Sequence, residues 1–121
     1  MAGLVKKRFE SPEETRLFAD DTGKVDIVGV GALSIGRGLF EPGWRWSTHV
    51  KPLAGTPSCQ SAHTGYVLEG RMVVQMDDGE EVEYGPGDVF YMPPGHDAWI
   101  VGDAPCVLLD VTGMANYATP A

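Results

Sequence analysis

From residue 25 onward, β-branched and aromatic residues recur in short runs that glycine, proline and aspartate interrupt. Residues 25–30 and 33–40 are two such runs, spaced by glycines. A Glu41-Pro42-Gly43 turn follows, and residues 44–50 read as the next strand. Residues 52–62 carry two prolines and a glycine and read as a loop. Beyond it, residues 66–69 and 71–76 are strands either side of Gly70. Asp77-Asp78-Gly79 then supplies hairpin chemistry, because Asp-Gly tolerates the positive φ of a tight turn. Residues 81–84, 89–92, 98–101 and 106–111 complete the series, with Gly85-Pro86-Gly87 and Pro93-Pro94-Gly95 as turns. Some eight to ten strands at roughly eight- to twelve-residue intervals predict an all-β sandwich or barrel. No helical period is sustained over three turns.

The first 24 residues stand apart from this pattern. Ser11-Pro12-Glu13-Glu14 has the form of a helix start, with Ser11 as cap and Pro12 in the first turn. Asp20-Asp21-Thr22-Gly23 would end any such helix after one or two turns, so the segment is expected to be a short turn of helix or a loop. The expected organisation is an N-terminal extension at 1–24, a barrel at 25–113 and a C-terminal tail at 114–121.

Composition narrows the function classes. With 121 residues, 43% of them hydrophobic, the chain has material for one core and is not of a disordered type. Its formal net charge of −8 argues against nucleic-acid binding, which depends on Lys and Arg neutralising phosphates. Two cysteines make no disulfide framework. The absence of a secretory apolar segment and of any run of membrane-spanning length leads to the expectation of a cytoplasmic protein with free thiols and no membrane association.

Three histidines, His49, His63 and His96, are the whole complement, and each lies beside a strand or a glycine turn. The surrounding residues resemble the cupin superfamily of small jelly-roll barrels. The first cupin motif runs glycine, five residues, His-x-His, three or four residues, glutamate, six residues, glycine. Here Gly43 precedes His49 by that interval and His63 precedes Gly70 by the closing one. The second motif begins with glycine, five residues, then Pro-x-Gly, as in Gly87 and Pro93-Pro94-Gly95. Tyr66-Val67-Leu68-Glu69-Gly70 adds a phrase common in the family. The resemblance spans about residues 25–112 and implies a double-stranded β-helix barrel.

The departures fall on the ligand positions. Lys51 stands at the second histidine of the first motif, His63 at its glutamate, Ala98 at the histidine of the second and Gly102 at its asparagine. The family's three-histidine, one-glutamate site therefore does not carry over. In its place, His49, His63 and His96 offer three imidazole ligands, with Cys59 as a fourth, thiolate ligand. That set suits a divalent transition metal, Zn, Fe, Ni or Cu. Plainer accounts also stand: His96 bonding its own turn, Cys59 an incidental small buried thiol.

Strand alternation would put Arg45 and Lys51 on the face of His49, where an anionic small molecule would be gripped, with Tyr66 and Trp99 lining the same pocket. It would put Trp44 and Trp46 outside, as an apolar patch for a second copy, and so predicts a homodimer. The resulting functions are a metal-dependent enzyme acting on a small anionic metabolite, a non-catalytic metal or metabolite sensor, or a dimeric barrel whose site has decayed. No nucleophile motif separates them.

Overall fold

The computed structural model describes residues 3–112. The tail expected at 114–121 lies outside the described residues. Nine strands form two antiparallel sheets: β1 (Glu14–Leu17), β2 (Gly23–Val30), β3 (Leu33–Phe40), β4 (His63–Glu69), β5 (Met72–Met76), β6 (Glu81–Tyr84), β7 (Val89–Met92), β8 (His96–Ile100) and β9 (Cys106–Asp110). The larger sheet has the order β1-β2-β3-β9-β4-β7 and the smaller β6-β5-β8. This is the all-β barrel anticipated from the turn spacing, in the two-sheet form that the family resemblance implies.

Alternation decides which side chains enter the barrel. Val25 and Ile27 on β2, Val67 on β4, Phe90 and Met92 on β7, Ala98 and Ile100 on β8, and Cys106 and Leu108 on β9 all join one core. Phe18, Phe40 and Trp44 close it with ring centroids 4.6–5.5 Å apart. Burying each such side chain contributes about 1.5–3 kcal/mol.

Two segments differ from the sequence expectation. Residues 14–17 form a strand, neither a helical turn nor a loop, pairing Glu14 with Ile27 through Leu17 with Lys24. A one-turn helix gains too few hydrogen bonds to offset its nucleation cost, whereas the edge of β2 offers a ready ladder. Thr15 Oγ1 adds a 2.7 Å bond to Asp26 Oδ1, helping to satisfy a buried carboxylate that Lys24 Nζ also approaches at 3.2 Å.

The second segment is the strand expected at 44–50. It is instead an extended entry followed by two single-turn helices, α1 (Trp46–His49) and α2 (Lys51–Ala54). Trp46, Val50 and Ala54 recur every four residues and pack on the core, a helical spacing that the Trp44/Trp46 alternation masked. Asp97 Oδ1 accepts the Ser47 backbone N–H at 3.0 Å, satisfying a first-turn donor of α1. Gly55, at φ 75°, ends α2 in the left-handed conformation. Trp44 and Trp46 are therefore each 2% exposed, inside the barrel and not on an outer patch.

Gly65 has a steric role. A Cβ there would lie 1.8 Å from the Leu109 carbonyl oxygen and 2.7 Å from the Phe90 ring, so β4 and β9 meet only because the side chain is absent. No helix of the described residues is long and apolar enough to cross a membrane.

Candidate metal centre and cavity

The first residues of β4 and β8 are His63 and His96, and the last of β9 is Asp110. All three are inward positions, and all three are buried. The loop before β4 adds Cys59, which pairs with His96 as an isolated antiparallel bridge. Cys59 N donates to His96 O at 2.7 Å, and Gly95 N donates to Cys59 O at 2.7 Å. Ser58 anchors the same loop, its hydroxyl donating to Asp77 Oδ2 at 2.9 Å.

The ligand-type atoms of Cys59, His63 and His96 lie within 4.8 Å of one another. Hydrogen bonding fixes which imidazole nitrogen each histidine offers. His63 Nδ1 donates to Asp110 Oδ2 at 2.5 Å, leaving Nε2 directed at Cys59 Sγ, 3.7 Å away. His96 Nδ1 donates to the Pro93 carbonyl at 2.7 Å, so its Nε2 is likewise available. The two rings meet edge to face at 5.6 Å. A carboxylate or carbonyl behind each imidazole is the arrangement that orients a metal-bound histidine and raises its basicity.

Charge is also arranged for coordination. Burial opposes ionisation of Cys59, but hydrogen bonds with His63 and His96 outweigh it and bring the thiol down to about 6. Burial likewise opposes protonation of His63, yet Asp110 and the Cys59 sulfur prevail and raise it to about 9. Cys106 lacks such partners, and burial alone pushes its thiol up to about 11. Cys59 is thus the thiol set to be a thiolate, the form that binds metals. Once an incoming ion displaces the His63 Nε2 proton, one thiolate and two neutral imidazole nitrogens fit a borderline-soft divalent ion, and three protein donors leave a position open.

Beside this group lies a cavity of about 30 Å³ bounded by Trp44, Trp46, His63, His96, Asp110 and apolar residues of both sheets. The indole Nε1 atoms of Trp44 and Trp46 are buried and have no hydrogen-bond partner. Each such orphan donor costs about 1–3 kcal/mol.

A sequence model described as a cupin domain matches residues 54–112. The match takes in just under half of the 121 residues and, together with the fold, supports a small cupin-superfamily protein. Among curated proteins no significant match is found. KdgF from Halomonas sp. is similar in fold, with TM-score 0.62 and 17% identity over 95% of this cupin and 97% of that chain. A protein of unknown function from Rhizobium leguminosarum has TM-score 0.59 and 24% identity over 99% and 100%. A cupin-like protein from Thermotoga maritima has TM-score 0.53 and 19% identity over 81% and 72%.

The fold re-registers the first cupin motif. With His63 in the glutamate position, Cys59 lies three intervening residues earlier, where the motif places its second histidine. Lys51 would take that position only if 44–50 were the motif strand, and residues 46–49 and 51–54 are helical. Lys51 is exposed on α2.

His49 ends α1 away from this group. Its Nδ1 accepts the Arg45 backbone N–H at 3.0 Å and its Nε2 faces Asp20 Oδ2 at 3.6 Å. Arg45 reaches outward, its guanidinium 4.3 Å from the Trp99 ring centroid and 3.3 Å from Asp97 Oδ2. Tyr66 lies between inward Gly65 and Val67 and so faces solvent, 41% exposed. None of the four pocket residues expected from sequence, Arg45, Lys51, Tyr66 and Trp99, lines the cavity.

Asp110 was missed altogether. Its signal was a single carboxylate at an inward position of the apolar strand Cys106-Val107-Leu108-Leu109-Asp110. A charge there needs a partner, and His63 supplies it.

Proposed function

We propose that this cupin holds a divalent transition metal, zinc by preference, on Cys59 Sγ, His63 Nε2 and His96 Nε2. The open coordination position would face the cavity, which receives a small molecule. The observation that carries the reading is the convergence of three buried donors whose non-coordinating imidazole nitrogens are already engaged. The bound ion would supply Lewis acidity at that position. The protein's own part is to fix both imidazoles, to keep Cys59 ionised and to exclude bulk water with Trp44, Trp46 and Phe40. His49 belongs to the α1 support and not to this ligand set.

The cavity's small volume, about 30 Å³, favours the non-catalytic binding or sensing alternative unless its walls move, because it admits only about two waters. Turnover of a small metabolite that requires the metal would favour the enzyme instead.

An assembly is part of the reading. Val89 and Tyr91 on edge strand β7, with Tyr66 and Leu68 on β4, are exposed large apolar residues on neighbouring strands. This surface, and not Trp44 and Trp46, would form a homodimer; a monomer in sedimentation at high micromolar concentration would end that part. The free cysteines support a reducing, cytoplasmic setting, and the charge of −8 supports a role apart from nucleic acid.

Metal analysis of tag-free protein after zinc reconstitution tests the centre. About one zinc per chain is expected for wild type and His49→Ala, and a large loss for Cys59→Ser, His63→Ala and His96→Ala. Full retention by the Cys59 and His63 variants would overturn it.

A further inference from the structure

The three donors of the metal centre are held in different ways. His63 and His96 open strands β4 and β8 and are fixed by the sheet ladders. Cys59 lies in the loop between α2 and β4, outside any strand. Its sulfur is aimed only as well as that loop is held, so what fastens the loop sets whether a thiolate reaches the ion.

Two sets of bonds fasten it. The backbone of Cys59 is clipped to the start of β8 by Cys59 N to His96 O and Gly95 N to Cys59 O, each 2.7 Å. The other set runs through Ser58, the buried residue just before the ligand. Ser58 Oγ donates to Asp77 Oδ2 at 2.9 Å and accepts from Gln60 Nε2 at 3.0 Å. The Ser58 carbonyl accepts from Thr56 Oγ1 at 2.7 Å. A buried hydroxyl proton needs an acceptor, and a carboxylate is a strong one. Asp77, which follows β5, also bonds to the residue before the second ligand: its backbone N–H donates to Gly95 O at 2.9 Å. Its carboxylate sits over that glycine, where an added Cβ would lie 3.0 Å from Oδ2. Gly95 has φ 94°, a conformation that glycine adopts without strain, so the turn leaves the carboxylate its place.

We infer that Asp77 is a positioning residue for the metal centre, setting the Cys59 thiolate through Ser58 and the His96 imidazole through Gly95. One residue outside the coordination sphere thereby fixes the separation of two ligands that belong to different segments. Its side chain acts on Cys59 and its main chain on His96, so a side-chain substitution loosens the thiolate alone. The inference rests on the metal reading of the proposed function and deepens it. Asp77 is exposed, unlike Asp110, so its carboxylate can be removed without emptying space in the core.

The test uses cobalt(II) as the probe, because a cobalt–thiolate bond gives a sulfur-to-metal charge-transfer band separate from the ligand-field bands. Wild type, Ser58→Ala, Asp77→Ala and Asp77→Asn are titrated, with Asp103→Ala as a control for charge at another exposed site. Affinity is read by competition with a chelator, and urea midpoints are measured on the same samples. Ser58→Ala and Asp77→Ala are expected to bind about tenfold more weakly, the low end of the loss for an outer-shell partner. At saturation they should show a weaker charge-transfer band per bound cobalt while ligand-field absorption persists. Asp77→Asn keeps an acceptor oxygen for Ser58 and should recover most of the wild-type affinity and band. Asp103→Ala should match wild type. Wild-type binding with Ser58→Ala and Asp77→Ala unchanged in affinity and spectrum overturns this proposal and leaves the metal reading standing. Affinity losses that only track a fall in urea midpoint, with the band per bound cobalt intact, also overturn it, because Asp77 then serves stability alone. A wild type that takes up no cobalt removes the metal reading and this proposal with it.

Discussion

His63 donates from Nδ1 to Asp110 Oδ2 across 2.5 Å, with both side chains almost wholly buried. The pair joins the first residue of β4 to the last of β9, so the register of two strands sets the orientation of one imidazole. Gly65 lies opposite Asp110 in that register, which brings the carboxylate over the barrel end where Cys59 and His96 also meet. The site is thus a property of strand pairing more than of any single loop.

Asp110→Asn should keep an acceptor for the His63 N–H while removing the negative charge. Zinc affinity, measured by competition with a chromophoric chelator, is expected to fall about 10–100-fold with the fold retained. Unchanged affinity would mean that Asp110 serves packing alone.

Gly65→Ala should destabilise the barrel by about 1–3 kcal/mol or more, because the new methyl would overlap the Leu109 carbonyl and the Phe90 ring. Gly29→Ala is the control: its methyl would meet nothing closer than the Glu13 carboxylate at 3.6 Å. Urea midpoints should drop sharply for the first and hold or rise slightly for the second.

The barrel was legible because turn residues and alternation repeat on a short period, and because the glycine–proline frames survive where the ligands changed. Residues 44–54 were not, since Trp44 and Trp46 satisfy a two-residue period while Trp46, Val50 and Ala54 satisfy a helical one. The helical reading won through a contact 50 residues distant in sequence, Asp97 to Ser47. His63, His96 and Cys59 could be nominated by type. Grouping them needed the Cys59–His96 bridge, which joins residues 37 apart and has no local signal.

Arg45→Ala should cost about 1 kcal/mol or less, because its contacts with Trp99 and Asp97 are half-exposed and water screens them. Zinc stoichiometry is expected to stay as in wild type. A loss of zinc would return Arg45 to the binding site.

The last prediction concerns protons in the metal-free protein. Cys59 falls from its ordinary value of 9.0 to about 6 on folding, and His63 rises from 6.5 to about 9. The Cys59 shift contributes stability that is fully present above pH 9 and lost as pH falls through about 6. The His63 shift contributes stability that is fully present below pH 6.5 and lost as pH rises through about 9. Between these limits the slopes are opposite, since the unfolded chain carries one proton on the thiol and the folded chain one on the imidazole. Proton counts match, so the pair should add almost no pH dependence to stability from about 6.5 to 9. The thiolate should nevertheless be visible by ultraviolet absorbance in folded protein at pH 7.5, vanish on unfolding in urea at that pH, and titrate away in the folded state through about pH 6. Cys59→Ser removes one of the opposing slopes. Whatever part of the His63 shift Asp110 sustains should then make urea midpoints decline as pH rises toward 9. A wild-type midpoint that climbs or drops steeply across this window, with chelator present, would contradict the proton transfer from Cys59 to His63.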